Sequence, residues 1–400
     1  MTPSPLIYLD NHATTRVDPR VVEAMLPIFT EDYGNPSSRH HPLGWRAEER
    51  VEIAREQTAR LINAASPDEI IFTSGATESN NLALRGAAAA LAARGRHIIT
   101  QQTEHKAVLD TLRALEEQGF QVTRLPVDGR GRVDPDDVRR AIRPDTILIS
   151  IMWANNEIGT IQPIEQIGAL AAEAGVLFHT DAAQAAGRIP IDVQAAGVHL
   201  LSLSAHKFYG PKGIGALYIR RCRPPVRLVP QITGGGQERG LRSGTLAVPN
   251  IVGLGTAAAL AREALPDEAA RIAGLRDKLC AGILGQLEEV FENGDPAHRL
   301  PGNLNLSFAF VEGESLLMGL TGRICVSSAS ACTAESAEPS HVLRAIGLDE
   351  PLTRSTLRFG VGRFNTTEEI DETVDCVVRV VRRLREISPL YEAWIEGHRV

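Results

Sequence analysis

Two patterns alternate along the first part of the chain. Short solid apolar runs at Glu69–Thr73, His97–Thr100, Gln121–Pro126, Thr146–Ile151, Val176–Thr180, His199–Ser204 and Gly215–Arg220 predict buried strands. Between them, apolar residues recur at helical spacing. This holds for Gly44–Leu61, where Val51, Ala54, Thr58 and Leu61 share a face, and for an alanine-rich segment reaching about Ala93. It holds again for Lys106–Gln118, for a segment after Asp134-Pro135, and for Ile164–Ala174. Asp18 before Pro19 marks another helix start, an N-cap with proline at the first helical position. Apolar strands alternating with helices of this length predict an α/β fold with a mainly parallel sheet covered on both faces.

Beyond residue 230 the pattern changes. Gly234–Thr245 is a long loop rich in glycine and arginine with no core to bury, a kind that carries function or moves. After Pro249 a helical region runs to about Glu289, with a break expected near Pro266. Strands at Asn303–Phe308, Ile324–Ser328 and Thr356–Val361 then alternate with helices from Glu314, near His341–Ile346 and over Thr367–Glu386, which predicts a smaller α+β module. The expected division is a large domain of residues 15–255 and a small one of residues 1–14 and 256–400.

Composition narrows the function classes. With 43% hydrophobic residues among 400, a large core is within reach. Net charge is −7 with acids and bases interleaved, so no basic face points to nucleic acid and no polybasic run to a membrane. No apolar run approaches the roughly 18 residues of a membrane span. Met1–Leu6 lacks the charged-then-apolar order of a secretory signal. Cys222, Cys280, Cys325, Cys332 and Cys376 are odd in number and follow no metal-ligand spacing, so a reducing cytoplasm and no dedicated metal site are expected.

Candidate chemistry gathers at strand ends. Ser204-Ala205-His206-Lys207 closes one strand, and Gly210, Pro211, Gly213 and Gly215 then force a turn that lets backbone approach a bound group. A buried strand-end lysine can shed its proton and attack a carbonyl carbon. The alternative is a solvated loop lysine, but the chain offers only Lys106, Lys207, Lys212 and Lys278. Ser74-Gly75-Ala76-Thr77, between a strand and a helix, is either an anion site of free amides or an ordinary capped helix start. His105, Asn155-Asn156-Glu157 and Asp181-Ala182-Ala183-Gln184 also fall where strands end, and ligands of open α/β sheets collect outside those ends. An anion cradle, an acid and a reactive lysine together suit pyridoxal phosphate, which needs a phosphate cup, a carboxylate at its ring nitrogen and a lysine at its aldehyde.

Seven segments in order carry a family resemblance. They are Leu9-Asp10-Asn11 with Ala13-Thr14-Thr15, Phe72–Ser79, Thr103–Val108, Asn155–Gly159, Ser204–Gly215, Arg242–Thr245 and Ser327–Cys332. Together they resemble the cysteine desulfurases, pyridoxal-phosphate enzymes of fold type I, in the branch that serves nitrogen fixation and housekeeping iron–sulfur assembly. The resemblance runs from Ile7 to about Tyr391. It implies that Lys207 carries the cofactor, Asp181 pairs with the ring nitrogen and Gln184 bonds the phenolic oxygen. Ala76, Thr77, Ser204 and His206 would cup the phosphate, Thr245 would reach it from the neighbouring subunit, and His105 would stack on the ring and move protons. Asn156, beside the cofactor, and Arg358 would clamp the substrate carboxylate. Read alone, Arg358 could equally be a strand-edge salt bridge, His105 a helix-start histidine and Asp181 a buried acid.

Cys332 matches the family's sulfur-accepting nucleophile in the long-loop branch and is the side chain offered to a transient iron–sulfur cluster. The small domain would thus carry the catalytic cysteine loop. Cys222, Cys280, Cys325 and Cys376 read as buried structural thiols. Two departures stand out: His12, where the family usually has a small residue near the site's entrance, and Ala329, in place of a glycine of the cysteine loop. The expectation is a cytoplasmic homodimer that takes sulfur from L-cysteine, leaves L-alanine and passes a persulfide on Cys332 to an acceptor protein. That acceptor would be an iron–sulfur scaffold or a tRNA-thiolation protein, with no direct contact to nucleic acid or membrane. A selenocysteine lyase, another enzyme of the fold, or a non-catalytic sulfur-trafficking protein are the alternatives, and none of them accounts for Lys207, Asp181 and Cys332 together.

Overall fold

The structure, a computed structural model, describes residues 6–328 and 339–398. Its strands in chain order are β1 (Ile7–Tyr8), β2 (Ile70–Thr73), β3 (His97–Gln101), β4 (Gln121–Leu125), β5 (Thr146–Ser150), β6 (Leu177–Asp181) and β7 (Leu200–Ser204). They continue with β8 (Gly215–Ile219), β9 (Val290–Glu292), β10 (Asn303–Phe308), β11 (Ile324–Cys325), β12 (Ser327–Ser328) and β13 (Thr356–Gly360).

Strands β2 to β8 form one sheet in the order β2-β8-β7-β6-β5-β3-β4. From β7 to β4 every pairing is parallel, and β8 runs against both its neighbours. All strands of this sheet except β8 therefore end on one edge, and β8 begins there. Helices cover both faces, and the strands are rich in apolar side chains: Ile70, Ile71, Phe72, Leu200, Leu201 and Leu203 are all buried. The helix Pro19–Thr30 starts as its residues dictate, with the Asp18 side chain accepting from the Arg20 amide and proline in the first turn.

A second core lies around the antiparallel sheet β12-β13-β10-β9. Leu304, Leu306, Phe308, Leu357 and Phe359 meet side chains of the helices Val248–Leu284 and Thr367–Glu386 there. Ile7 and Leu9 belong to this core, and β1 pairs in parallel with β11. The N-terminal segment thus packs with the C-terminal part of the chain.

The structure differs from the pattern-based expectation in three places. The helix Val248–Leu284 runs 37 residues without breaking at Pro266. Pro266 and Arg262, one turn before it, are both exposed, so the carbonyl that proline leaves unbonded lies within reach of water. Apolar contacts with the first core before it and the second core after it hold the helix together. The expected single strand Ile324–Ser328 divides, because β11 pairs with β1 while β12 pairs with β13. The Gly234–Thr245 loop, expected to have nothing to bury, is pinned by a buried ion pair. Both oxygens of Glu238 accept 2.8 Å bonds from Arg55, one also takes the Phe72 amide at 2.6 Å, and the guanidinium lies 4.6 Å over the Phe72 ring. Strand β9 and the helices Glu350–Arg354 and Pro389–His398 are additions that the pattern did not indicate.

Breaking that pair from one side leaves the buried Arg55 with only the exposed Glu52 as a carboxylate partner. Glu238→Gln should destabilise the protein by about 3 kcal/mol, and adding Arg55→Met should recover part of the loss. Urea unfolding midpoints measure both, and a Glu238→Gln midpoint equal to wild type would contradict the assignment.

Candidate active site

The common sheet edge surrounds a cavity of about 550 Å³. Segments following β2, β3, β5, β6 and β7 all contribute to its wall, as do Lys212 and Gly213 just before β8. Ala76, Thr77, His105, Asn156, Asp181, Gln184, Ser204, His206, Lys207 and Arg358 all line it. Thr245 is exposed and stands outside this chain's cavity wall, while its loop neighbour Arg242 bonds Glu78, which belongs to the wall. Cys332 and Ala329 lie outside the described residues.

Beneath one end of the cavity the helix Ala76–Leu91 begins at Gly75 with no side-chain cap. Gly75 adopts φ 155°, and Gly215 packs so closely that a Cβ there would stand 2.6 Å from the Gly75 Cα. The first amides of the helix are thus left for an anion, beside Thr77, Ser204 and His206. His206 is held by Thr14 Oγ1 at 3.1 Å. Burial, then the cations Lys207, Lys212 and Arg188, push its pKa down to about 4, so it meets an anion as a neutral donor.

Lys207 ends a short 3-10 turn after β7. Its Nζ donates to the carbonyls of His12 and Ala13, each at 2.8 Å. Arg188 ties the same two segments from behind, donating to the Lys207 carbonyl at 3.0 Å and to the Asn11 carbonyl. Thr15 completes the seam, its amide and hydroxyl both donating to the His206 carbonyl. His12 is not at the site's entrance, as expected from sequence. It is buried with its ring against Gln184.

Asp181 closes β6 with its oxygens on the Asn80 amide nitrogen (2.7 Å) and the Ala183 backbone amide (2.9 Å). His105 caps the helix Lys106–Glu116, with Nδ1 accepting from the Ala107 amide at 3.1 Å. In the neutral ring the proton therefore sits on Nε2. The ring is open to solvent in the cavity, yet crowded by protein around it. Burial lowers its pKa, Asp181 opposes the shift, and Lys207 and His341 add to it. Next to it, Glu104 is wholly buried, accepts from the Met152 amide at 2.6 Å and is pushed by burial far above the usual carboxylate range.

Arg358 is engaged on the opposite wall. It donates to the Asn156 carbonyl (2.9 Å), Asp10 Oδ1 (3.0 Å) and Ser327 Oγ (3.1 Å), while its Nε is buried with no hydrogen-bond partner among the described residues. The salt bridge that the sequence left open is therefore formed, with Asp10, although β13 is an inner strand flanked by β10 and β12 and not an edge. Ser327 stands on one side of residues 329–338. On the other side Ser340 donates to Glu157 at 2.5 Å, and His341 bonds the Glu104 carbonyl at 2.9 Å. Of the four cysteines outside that stretch, only Cys376 is buried, while Cys222, Cys280 and Cys325 are half-buried, which corrects the expectation for those three. Burial, with Glu292 adding to it, pushes the Cys280 thiol up to about 11.

Sequence reasoning missed Arg188, Asn80, Glu104 and the roles of Asp10 and Ser327. Each acts through a partner far away in the chain, so no local pattern signals it. The donor set suits pyridoxal phosphate: uncapped amides and neutral hydroxyls for a phosphate, a carboxylate for a ring nitrogen and an amine beside them. A cavity of this size accommodates such a group together with an amino acid.

The family description "Aminotransferase class-V" matches residues 7–373. The chain is 59% identical over 391 residues to the "Cysteine desulfurase IscS" of Anaeromyxobacter sp. (strain Fw109-5), covering 98% of this chain and 96% of that protein. It is 56% identical to the protein of the same description from Methylococcus capsulatus (strain ATCC 33009 / NCIMB 11132 / Bath), with the same coverage. Among solved structures, a "NIFS-LIKE PROTEIN" superposes with a TM-score of 0.88 at 41% identity, over 95% of this chain and all of that one. "SspA in complex with cysteine" does so with a TM-score of 0.79 at 42% identity, over 90% of this chain and all of that one.

The histidines set a pH dependence. His179, bonded to Ser150 and Ser202 below Asp181, is held by burial at about 4, as His206 is. In the unfolded chain they take protons near pH 6.5. Between these values the unfolded state binds more protons, so stability is complete above about 6.5 and declines as pH falls towards 4. Urea midpoints should drop across this window, less steeply for His179→Gln, and identical profiles for the two proteins would contradict the assignment.

Proposed function

The chain belongs to the class-V aminotransferase family and within it to the cysteine desulfurases, and on that premise we propose how its residues divide the work. It is a pyridoxal-phosphate enzyme that removes sulfur from L-cysteine. Bound in the cavity, the cofactor supplies an electron-withdrawing ring that acidifies the α-hydrogen of an amino acid joined at its aldehyde carbon. Lys207 would hold that carbon through its amine until a substrate amine replaces it, while Asp181 would bond the ring nitrogen and Gln184 the phenolic oxygen. Ala76, Thr77, Ser204 and His206 receive the phosphate. His105, neutral and protonated on Nε2, can stack on the ring and move a proton.

Arg358 and Asn156 hold the substrate carboxylate, a charge-assisted contact of about 1.5–3 kcal/mol. Asp10, which bonds Arg358 now, keeps the guanidinium compensated until the substrate arrives. Cys332 attacks the substrate sulfur as a thiolate. The new S–S bond forms as the substrate's C–S bond breaks, and the electron pair left on the β-carbon takes a proton, giving alanine. The persulfide then passes to an acceptor protein, an iron–sulfur scaffold or a tRNA-thiolation protein. One observation carries this reading: Lys207, Asp181 and His105 converge on a cavity whose wall includes Ser327, shortly before Cys332.

The active protein is a cytoplasmic homodimer with shared sites. In support, Thr245 is exposed and does not line its own cavity, and Val22, Leu26 and Phe29 expose an apolar stripe on the helix Pro19–Thr30. Among the described residues no helix is long and apolar enough to cross a membrane.

Heterodimers test both the chemistry and the sharing. Lys207→Ala and Thr245→Glu should each abolish alanine release from L-cysteine. Mixed dimers should regain about half the wild-type rate, because the Lys207-bearing protomer meets an intact Thr245 across the interface. Mixed dimers as inactive as their parents would refute the shared site, and undiminished alanine release by Lys207→Ala would refute the lysine.

A further inference from the structure

His12 makes a closed pair with Gln184. Its imidazole Nδ1 lies 2.9 Å from Gln184 Oε1, and its backbone carbonyl accepts from Gln184 Nε2 at 2.9 Å. That carbonyl also accepts from Lys207, so it can face only the nitrogen end of the amide. The oxygen end is therefore the one at the imidazole, and Nδ1 must carry the proton. Arg188 Nη1 stands 3.3 Å from the same nitrogen, the longer and weaker contact, with other donors of this side chain committed to the Asn11 and Lys207 carbonyls. Burial, then the positive charges of Arg188 and Arg358, hold the imidazole neutral, and in the neutral ring the bond to Gln184 Oε1 selects the tautomer with the proton on Nδ1. Its Nε2 is buried without a hydrogen-bond partner among the described residues.

We propose that His12 is a positioning residue for the cofactor: its imidazole and carbonyl together fix the orientation of the Gln184 amide, so that the second N–H of Nε2 remains the group offered to the cavity. The inference rests on the reading that Gln184 bonds the cofactor's phenolic oxygen. That oxygen needs a donor, and an amide turned end for end would present a lone pair instead. His12 holds both ends of the amide, and with the same carbonyl it holds the amine of Lys207. Two groups aimed at neighbouring atoms of the cofactor thus share one support. A side chain without a donor at this position would remove one restraint on the amide and leave the carbonyl on Lys207 in place.

Cofactor retention and the visible absorbance band of the purified holoenzyme test this without reference to turnover. His12→Ala should release pyridoxal phosphate on dialysis about three- to tenfold more readily, the effect of one buried neutral hydrogen bond, and shift the band. Gln184→Ala should show the same changes, and the double variant should be no worse than Gln184→Ala, because the two residues act as one unit. His12→Asn, whose amide N–H can reach the same oxygen, should retain cofactor, whereas His12→Asp, an acceptor, should lose it. That comparison serves equally if His12→Ala folds poorly. Wild-type retention in His12→Ala beside an impaired Gln184→Ala, multiplying effects in the double variant, or equal behaviour of the Asn and Asp variants would each overturn the proposal. Wild-type behaviour of Gln184→Ala would overturn the reading of Gln184 itself and this inference with it.

Discussion

The active site depends on a lashing between two segments far apart in the chain. Residues 11–15 form a turn whose carbonyls accept from Lys207 and Arg188, while their amides and hydroxyls reach back to His206 and Tyr209. The segment follows β1, whose Ile7 belongs to the second core, and Asp10 between them bonds Arg358 in the small sheet. The seam therefore sets the distance between the sheet that presents Lys207 and Asp181 and the sheet that presents Arg358. Were it to loosen, the amine and the carboxylate clamp would lose their register.

Burial keeps the histidines in and around the cavity neutral. His12, His105, His179 and His206 all have lowered pKa values with burial as the leading cause, and Glu104 is raised for the same reason. Several acids and cations of the wall have hydrogen-bonded partners: Asp181 with Asn80, Arg358 with Asp10, Glu78 with Arg242, and Lys207 with the His12 and Ala13 carbonyls.

Much of this was legible in the sequence, and the illegible parts share a cause. Strand ends rich in polar residues after solid apolar runs located the cavity, because a parallel sheet delivers such ends to one edge. The helices Ile164–Ala174 and Thr367–Glu386 appear with the boundaries their periodicity predicts. What was missed lies in partnerships between distant residues. Arg55 and Glu238 are 183 positions apart, so the glycine-rich loop looked unanchored. Pro266 read as a break because the contacts supporting its helix come from elsewhere in the fold. His12 read only as a departure from the small residue usual near the entrance, since its bond to Gln184 spans 172 positions.

The central claim is that ring chemistry and sulfur transfer belong to different residues, Lys207 with its neighbours for the first and Cys332 for the second. Brief exposure of the holoenzyme to L-cysteine, followed by alkylation and peptide mass spectrometry, tests it most directly. The account predicts one additional sulfur on the peptide containing Cys332, formed together with alanine, and none on those containing Cys222, Cys280, Cys325 or Cys376. Additional sulfur on Cys325 instead, or alanine formed at the wild-type rate by Cys332→Ser, would contradict it.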